Sequence, residues 1–220
     1  IGMMDQYMAI KEEHPDTVLF FRMGDFYEMF HDDAVIGSEA MGLSLTSRDK
    51  KADAPIPMAG FPWHALEAQL RKMLAAGHKV TVVEQSDPEP GSKLMQRVVT
   101  RVYTPGSLYE ESLIGSGDSA VLASLVSSGE SLGCALVDSS TGYAQAFEFS
   151  GDDRWARLLD ELLRTSPREL VMSRKEAEQA VVGQLIGHLQ GIVVSQHEVP
   201  KKARLKALRD NIGSADLGHI

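Results

Sequence analysis

One interruption in the pattern of apolar segments constrains the fold more than any other feature. Alternating short apolar runs and helical patterns fill the first hundred residues, until Thr104-Pro105-Gly106 breaks them. Residues 107–119 are rich in Ser, Gly and acidic side chains, as linkers are, and after them the pattern starts again. Because 220 residues are enough for two ordinary domains, we predict domains at residues 1–106 and 119–220, joined by a linker at residues 107–118.

Helical and strand-like segments alternate in the first domain. Gly24-Asp25 is a turn signal between two β-prone runs, and Gly42 ends a helix for which Asp32 or Asp33 is the predicted N-cap. The other predicted elements are helices at residues 4–13 and 64–76, strands at 17–23, 26–30, 56–60, 79–85 and 97–103, and an edge strand at 43–46 followed by a polar loop at 47–54. Together they predict a mixed-sheet α/β domain.

The second domain has a different order of elements. Three strands are predicted first, at residues 120–126, 133–137 and 143–149. They are followed by a helix at 153–165, a strand at 169–172, a helix at 175–189, a strand at 192–194 and a basic helical tail from Lys201. Three strands and then helix, strand, helix, strand is the order of a ribonuclease-H-like sheet. The fold class that we predict is therefore α/β with two domains.

The balance of charge limits how this chain can bind nucleic acid. The net charge is -9, and both halves share it. Residues 1–106 hold 11 Lys and Arg against 15 Asp and Glu, and residues 107–220 hold 11 against 16. Proteins that coat DNA by bulk electrostatic attraction are usually basic. Any binding to nucleic acid must therefore depend on a local patch or on shape.

Cysteine content and hydropathy indicate the compartment. Cys134 is the one cysteine, so no internal disulfide can form, and it lies in an apolar run that predicts a buried, unreactive thiol. The sequence has no run of 18 or more apolar residues, and its first residues do not form a signal peptide. We therefore expect a cytoplasmic protein that does not enter a membrane.

The turn at Gly24-Asp25 is followed by an unusual pairing of an aromatic side chain and a carboxylate. Side chains two residues apart on a strand face the same side, so Phe26 and Glu28 point one way and Tyr27 the other. If Phe26 faced the core, Glu28 would be carried inward with it, and an unpaired buried carboxylate is costly. A strand with Tyr27 and Met29 inward is easier to stabilise. That orientation leaves Phe26 exposed beside a carboxylate, which indicates a ligand.

These residues resemble the mismatch-binding domain of the MutS family. The stretch Phe-Arg-Met-Gly-Asp-Phe-Tyr-Glu at residues 21–28 is similar to the element that carries the Phe-x-Glu pair of that family. Further motifs follow in the family's order, at residues 43–48 (Leu-Ser-Leu-Thr-Ser-Arg), 55–64 (Pro-Ile-Pro-Met-Ala-Gly-Phe-Pro-Trp-His), 84–85 (Glu-Gln) and 101–107 (Arg-Val-Tyr-Thr-Pro-Gly-Ser). Several ordered motifs are far more specific than a lone Phe-x-Glu. The second domain resembles the connector of the same family.

The resemblance implies a function for particular residues. Phe26 and Glu28 are expected to enter the minor groove of duplex DNA at a mispaired base or a small insertion or deletion loop, which initiates mismatch repair. Glu28 either donates a hydrogen bond to a base as a protonated acid or, when ionised, repels intact DNA, and we favour the donor. Contacts with the DNA backbone or groove are expected from Met23, Thr46, Ser47, Arg48 and Met58.

The resemblance also implies what lies outside these residues. The family connector is longer, so we expect the second domain to be incomplete at residue 220. ATP and Mg²⁺ belong to the family's ATPase domain, and the phosphate-loop motif Gly-x-x-x-x-Gly-Lys-Ser/Thr does not occur here. This chain is thus expected to be no enzyme and to hold no cofactor or metal. In the family the working unit is a homodimer that recruits downstream repair factors.

Two other functions remain compatible with the residues themselves. Asp138 ends a predicted central strand, where nucleases of the ribonuclease-H-like fold place a metal-binding carboxylate. Glu148 and Asp160 are further carboxylates, although their spacing does not require them to converge as metal-dependent hydrolysis needs. Alternatively, the exposed Phe26 could dock on a partner protein, which would make the chain an interaction module.

Overall fold

A computed structural model describes residues 2–48, 54–88, 95–106 and 121–212, with the side chains of the last two residues excepted. The predicted linker at residues 107–118 lies outside the described residues, so the domain boundaries stay a prediction. Two mixed sheets are present, one before and one after this gap. The chain is therefore a two-domain α/β protein, as the order of predicted elements indicated.

The first sheet has six strands in the order β3-β4-β2-β1-β5-β6. Strands β1 and β5 are parallel, and all other neighbours are antiparallel. The elements are α1 (Met3–Glu13), β1 (Val18–Met23), β2 (Phe26–Phe30), α2 (His31–Met41), β3 (Thr46–Arg48), β4 (Ile56–Pro62), a 3₁₀ turn (Trp63–Ala65), α3 (Leu66–Ala75), β5 (Val80–Ser86) and β6 (Gln96–Tyr103).

Helices cover both faces of this sheet, so the first four residues of its central strand β1 are apolar. Val18, Leu19, Phe20 and Phe21 of β1 are all buried, with alternate side chains entering different clusters. One cluster lies beneath α2 and α3 and includes Phe20, Tyr27, Phe61, Leu70 and Met73. The other lies beneath α1 and includes Tyr7, Leu19, Phe21, Phe30 and Val83.

The prediction that Asp32 or Asp33 caps α2 was wrong. The helix begins earlier, at His31, with Phe30 at the N-cap position, and no side chain caps it. Asp33 is buried instead, where its carboxylate accepts hydrogen bonds from Tyr7 Oη at 2.6 Å, Lys11 Nζ at 2.7 Å and the amide of Leu19 at 3.0 Å. The carboxylate thus fixes α1 to β1, a role that depends on residues distant in the sequence.

Two further predictions for the first domain need correction. The polar residues predicted as a loop from Ser47 begin instead as β3, because Thr46–Arg48 pair with the adjacent strand β4. The predicted helix at residues 64–76 begins as a 3₁₀ turn, and its α-helical part ends at Ala75. Residues 49–53, also in the predicted loop, lie outside the described part of the chain.

The second sheet has five strands in the order β11-β10-β7-β8-β9. Strands β7, β8 and β9 form an antiparallel meander, while β10 and β11 run parallel to β7, which is the ribonuclease-H-like arrangement. The elements are β7 (Val121–Ser128), β8 (Ser131–Asp138), β9 (Tyr143–Ser150), α4 (Arg154–Thr165), β10 (Glu169–Met172), α5 (Arg174–Ala177), α6 (Ala180–His188), β11 (Val193–Gln196) and α7 (Lys201–Ile212). No helix within the described ranges has the length and apolar character needed to cross a membrane.

The helix predicted at residues 175–189 is two helices, α5 and α6. Ser173 caps α5 in a capping box with Glu176, and the same carboxylate accepts from the amide of Ser127 at 3.2 Å. Gln179 then takes an extended conformation and donates its side-chain amide to Ser127 Oγ at 3.1 Å. The Ser127 hydroxyl also donates to Glu176 at 3.1 Å, so three bonds to Ser127 hold the break, and a sequence period cannot reveal them.

The two domains meet at the Thr-Pro-Gly segment that ends the first. The amide of Gly106 donates a hydrogen bond to Glu169 Oε2 at 3.2 Å, and Glu169 is only 2% exposed. Ser195 Oγ donates to the other oxygen of the same carboxylate. A side chain at Gly106 would place its Cβ 2.8 Å from Cβ of Glu169 and 3.0 Å from Cδ1 of Leu122. This contact requires glycine for close approach.

Gly106→Ala is expected to lower the free energy of unfolding by about 1–3 kcal/mol, because overpacking at a rigid contact costs that much. The atom that would be struck is a Cβ on strand β10, which cannot turn away as the end of a flexible side chain can. Thermal unfolding measures the effect. Gly183→Ala is the matched control, since that helical position has open space and should be stabilised by about 0.5–1 kcal/mol. Equal unfolding temperatures for Gly106→Ala and wild type would contradict the contact.

Candidate nucleic-acid interface

Strands β1, β2 and β4 have one terminus each at the same end of the first sheet. Met23 of β1, Phe26 of β2 and Pro62 of β4 are consecutive partners across the sheet. The turn between β1 and β2 is Gly24-Asp25, and Gly24 has a φ of +59°, a left-handed conformation that glycine adopts without strain. We call this end of the sheet, from Met23 to Phe26 with Pro62 beside it, the tip.

The alternation predicted for β2 is confirmed. Tyr27 is 2% exposed and Met29 is fully buried beneath α2 and α3, whereas Phe26 is 43% exposed. Tyr27 packs against Phe61 and Phe20, with ring centroids 5.6 Å and 6.4 Å away. Because alternate residues face opposite sides, Phe26 and Glu28 share the side that α1 covers elsewhere.

Helix α1 covers only part of that side. Tyr7 packs edge-on against Phe21 and Phe30, with ring centroids 5.3 Å and 5.1 Å apart. Phe30 is therefore fully buried although it has the same orientation as Phe26, which lies beyond the reach of the helix. An open strip remains, which we call the open face. It consists of Met23, Phe26, Glu28, Thr46 and Met58.

The open face gathers five of the seven residues that were predicted as contacts. Thr46 and Phe30 both pair with Met58, so these side chains share the side of Phe26. Met23 and Met58 are half-buried and pack against the cluster beneath α1, while Thr46 is exposed. Arg48 has the same orientation as Thr46, but Ser47, between them on β3, points to the other side. Ser47 is therefore separated from the open face.

The carboxylate of Glu28 lies over a glycine. Glu28 and Gly60 are direct partners on β2 and β4, and a Cβ at Gly60 would lie 2.6 Å from Cδ of Glu28 and 2.9 Å from the carbonyl oxygen of Tyr27. Burial raises the pKa of Glu28 above its usual value. Within the described residues, the carboxylate has no hydrogen-bond partner. Its oxygens are therefore held by no protein donor of the described residues and stay accessible from the open face.

Strand β5 holds the tip from the side. Gln85 Oε1 accepts a hydrogen bond from the amide of Gly24 at 2.9 Å, and Tyr27 Oη donates to Glu84. Burial, and then the bond to Glu84, raise the pKa of Tyr27 to about 12. Glu84-Gln85 was matched only as a sequence motif. Its contacts show that it orients the β1–β2 turn.

A cation and two aromatic rings brace the other side of the tip. The guanidinium of Arg22 lies 5.4 Å from the ring centroid of Tyr27 and 5.2 Å from that of Trp63. The amide of Trp63 donates to the carbonyl oxygen of Asp25 at 2.8 Å. Arg22, Gly60, Gln85 and Trp63 are not among the site residues predicted from the sequence. The signal available in the sequence was a Trp in the motif at residues 55–64, directly after Pro62.

The carboxylates proposed for a nuclease do not converge. Asp138 accepts hydrogen bonds from the hydroxyl and the amide of Ser140, at 2.6 Å and 2.9 Å, and these bonds hold its pKa below the usual value. Glu148 pairs with Gly133, five residues along β8 from Asp138, which is roughly 16 Å at the usual rise of a strand. Among the described residues, no three His, Cys, Asp or Glu side chains are placed to hold a metal ion.

The lone cysteine lies in the core of the second domain. Cys134 is 2% exposed, and burial raises the pKa of its thiol to about 11. The prediction of a buried, unreactive thiol is therefore confirmed. Reactive cysteines have a lowered pKa and an accessible sulfur, and Cys134 has neither.

The fold and the open face together define a class of protein. It has two α/β domains, and the first presents an exposed Phe and a half-buried carboxylate at the end of its sheet. Both domains match models of known protein domains. The family model for MutS domain I matches residues 1–112, and the model for MutS domain II matches residues 120–211. The chain belongs to the MutS family.

Individual relatives give the same result. The DNA mismatch repair protein MutS of Symbiobacterium thermophilum is 40% identical over 221 residues, covering 98% of this chain and 25% of that protein. The MutS of Anaeromyxobacter dehalogenans (strain 2CP-C) is 43% identical over 188 residues, covering 82% and 21%. That of Desulforamulus reducens is 41% identical over 173 residues, covering 78% and 20%. The chain thus spans about a fifth to a quarter of the length of these curated relatives.

Proposed function

We propose that this chain recognises mispaired or unpaired bases in duplex DNA by inserting Phe26 from the minor groove, and so acts in mismatch repair. One observation carries the proposal: Phe26 is 43% exposed on a strand whose other apolar side chains are buried. It shares its face with the half-buried carboxylate of Glu28. An exposed aromatic beside a half-buried carboxylate matches the two requirements of the proposed contact, which are an apolar wedge and a polar group for a base edge.

The proposed recognition depends on how easily the DNA duplex is deformed at a given base step. In a matched duplex, pairing and stacking hold each base in place, and unstacking one step costs a few kcal/mol. A mispaired or unpaired base has already lost part of that stability, so inserting Phe26 there costs less. Many different errors share this weakness, and discrimination by deformability does not require a base code. The single aromatic of the open face suits such a broad specificity.

The charges near the open face fit a contact that depends little on bulk electrostatics. Within a chain of net charge -9, Arg48 is the residue of β3 that can reach a phosphate from the side of Phe26. Thr46 and Met58 lie beside it and supply a hydroxyl and an apolar surface for the groove wall. On this proposal Ser47, which points away, makes a lesser contact than the other predicted residues.

Glu28 acts, on this proposal, as a protonated hydrogen-bond donor to a base. Burial already raises its pKa, and nearby phosphates would raise it further because they disfavour a second negative charge. As the pH rises through the raised pKa, Glu28 loses its proton and the donor disappears. The preference for flawed DNA should therefore fall as the pH rises.

Glu28→Gln is expected to keep the preference for flawed DNA and to remove its dependence on pH, because glutamine always donates. In the wild type, raising the pH through the raised pKa of Glu28 should reduce the preference by up to about tenfold, the worth of one hydrogen bond. Fluorescence anisotropy of labelled duplexes measures both. Glu39→Gln, an exposed glutamate of α2, is the matched control and should behave as wild type. A Glu28→Gln variant without any preference would overturn the donor role.

We extend the proposal to the longer family proteins. In them this chain would supply recognition, ATP and Mg²⁺ would act in a separate ATPase domain, and a homodimer would recruit downstream repair factors. The chain itself is proposed to catalyse no reaction. The reducing cytoplasm is the proposed compartment, which the buried free thiol of Cys134 supports.

The function is tested by titrating two labelled duplexes with the wild-type chain at low salt. One duplex carries a single unpaired thymine and the other is fully matched. Tighter binding to the flawed duplex is the expected result. If both duplexes bind equally, recognition of errors is excluded for this chain. If neither binds while a protein partner does, the exposed Phe26 belongs to a protein interface.

A further inference from the structure

A second exposed aromatic lies at the tip. Trp63 is 50% exposed and follows Pro62, the direct partner of Phe26. A large aromatic side chain usually buries most of its surface, so its exposure is informative when it is also held in place. Its contacts with Arg22 and Asp25 brace the tip, but they leave half of the Trp63 side chain open to a ligand.

Trp63 and Phe26 lie on opposite sides of the sheet end. Phe26 shares its side with its partners Met23 and Pro62. Arg22 pairs with Tyr27 on the other side, and its guanidinium lies 5.2 Å from the ring centroid of Trp63. The two aromatics consequently flank the tip, with the β1–β2 turn between them.

Main-chain and side-chain contacts restrain Trp63 in the free protein. Its backbone amide donates to the carbonyl oxygen of Asp25 at 2.8 Å, the guanidinium of Arg22 lies 5.2 Å from its ring centroid, and the His64 ring packs edge-on at 6.2 Å. The preceding Pro62 has a φ of -61°. Ordering a flexible side chain on binding costs affinity, and a side chain that is already ordered avoids that cost. Such preorganisation is typical of a contact residue.

The width of the minor groove indicates which part of the DNA Trp63 would contact. The minor groove is only about 6 Å wide, so its two sugar–phosphate walls lie close to any side chain that enters it. If Phe26 enters the groove, a side chain on the opposite face of the tip is directed at a wall, which is the sugar–phosphate backbone. An indole packs on the apolar side of a deoxyribose, and the adjacent guanidinium of Arg22 favours a phosphate.

We infer that Trp63 is a second DNA-contact residue, which packs on the sugar–phosphate backbone beside the base step that Phe26 enters, with Arg22 as its positioning residue. This inference rests on the proposed function. A backbone contact carries no sequence or error information. Trp63 therefore contributes affinity for matched and flawed duplexes alike, whereas Phe26 contributes the preference between them.

The binding test compares Trp63→Ala with wild type on the two duplexes described above. Trp63→Ala weakens binding to both by about tenfold, within the range of an aromatic contact to nucleic acid, and leaves their ratio unchanged. Trp63→Phe restores part of the affinity. Tyr143→Ala is the matched control, because Tyr143 is an aromatic of the second domain that is 60% exposed. Unchanged affinity in Trp63→Ala overturns the inference.

A direct readout separates contact from a structural effect. The chain has two tryptophans, so Trp155→Phe leaves Trp63 as the sole indole emitter. Saturating this variant with the flawed duplex shifts or quenches its indole emission and reduces quenching of that emission by acrylamide.

The outcomes distinguish the inference from the proposed function. Binding detected by anisotropy without any change in emission overturns the inference while the proposed function stands. Loss of affinity in Trp63→Ala, together with equal binding of both duplexes by wild type, upholds the contact and rejects error recognition. Absence of any DNA binding rejects both.

Discussion

Phe26→Ala is expected to abolish the preference for a duplex with an unpaired thymine while the chain stays folded. Stacking of one aromatic on a base is worth about 1–3 kcal/mol, so affinity for the flawed duplex should fall by roughly 5- to 150-fold. Affinity for the matched duplex should change little, because the wedge does not enter a well-stacked step. The fold should survive, since Phe26 is 43% exposed and lies outside the buried clusters.

Anisotropy titrations of the two labelled duplexes measure this effect, and thermal unfolding checks that the variant is folded. Phe26→Leu keeps an apolar wedge without a stacking ring, so an intermediate preference is expected. Tyr143→Ala again serves as control, since it removes an exposed aromatic from the second domain. If wild type and Phe26→Ala discriminate equally well, Phe26 is not the probe and the proposed mechanism fails.

Asp33→Ala should have the largest effect on stability, with a loss of about 3–5 kcal/mol, as when one partner of a buried charged pair is removed. The carboxylate is 2% exposed and accepts hydrogen bonds from Tyr7, Lys11 and the amide of Leu19. Its loss leaves the buried amide of Leu19 without its acceptor and removes the charged partner of Lys11. The Tyr7 hydroxyl would keep only its longer bond to the carbonyl oxygen of Phe30, at 3.3 Å. Since a domain is stable by only about 5–15 kcal/mol, such a loss is severe.

Urea unfolding measures the loss, and Asp32→Ala is the matched control. Asp32 is the exposed neighbour in the same helical turn, so only its favourable interaction with the helix N-terminus is lost, about 0.3–1 kcal/mol. Asp33→Asn keeps an acceptor and should fall between the two. Similar stability of Asp33→Ala and Asp32→Ala would show that the buried network does not hold α1 to the sheet. A loosened α1 would also uncover Phe21 and Phe30 beside the open face.

Local patterns predicted the orientation of the open face correctly. A period of two places Phe26 and Glu28 on one side of β2, and the cost of burying an unpaired carboxylate decides that this side is open. Gly24 and Gly42 have positive φ angles of 59° and 71°, as a turn and a helix end require. Each of these inferences depends on residues within a few positions of one another, which is the range over which sequence patterns act.

Predictions failed where the partner of a residue is distant in the sequence. Asp33 was taken for a helix cap, but Tyr7 and Leu19 provide donors inside the fold. Residues from Ser47 were predicted as a loop because they are polar. They form an edge strand because β4, which is distant in the sequence, offers its free edge for pairing. The break between α5 and α6 likewise depends on Ser127. In each case a long-range hydrogen bond outweighs the local preference.

The sequence by itself determined the two α/β domains, the alternation of β2, the buried thiol and the exposed Phe26, because hydrophobic period and glycine turns act locally. Only the tertiary structure decided three further features. Helix α1 does not cover Phe26, Gly60 leaves space for the carboxylate of Glu28, and Trp63 lies on the opposite side of the tip from Phe26. These features arise from the register of strands that are distant in the chain. Packing selects that register, and no local pattern encodes it.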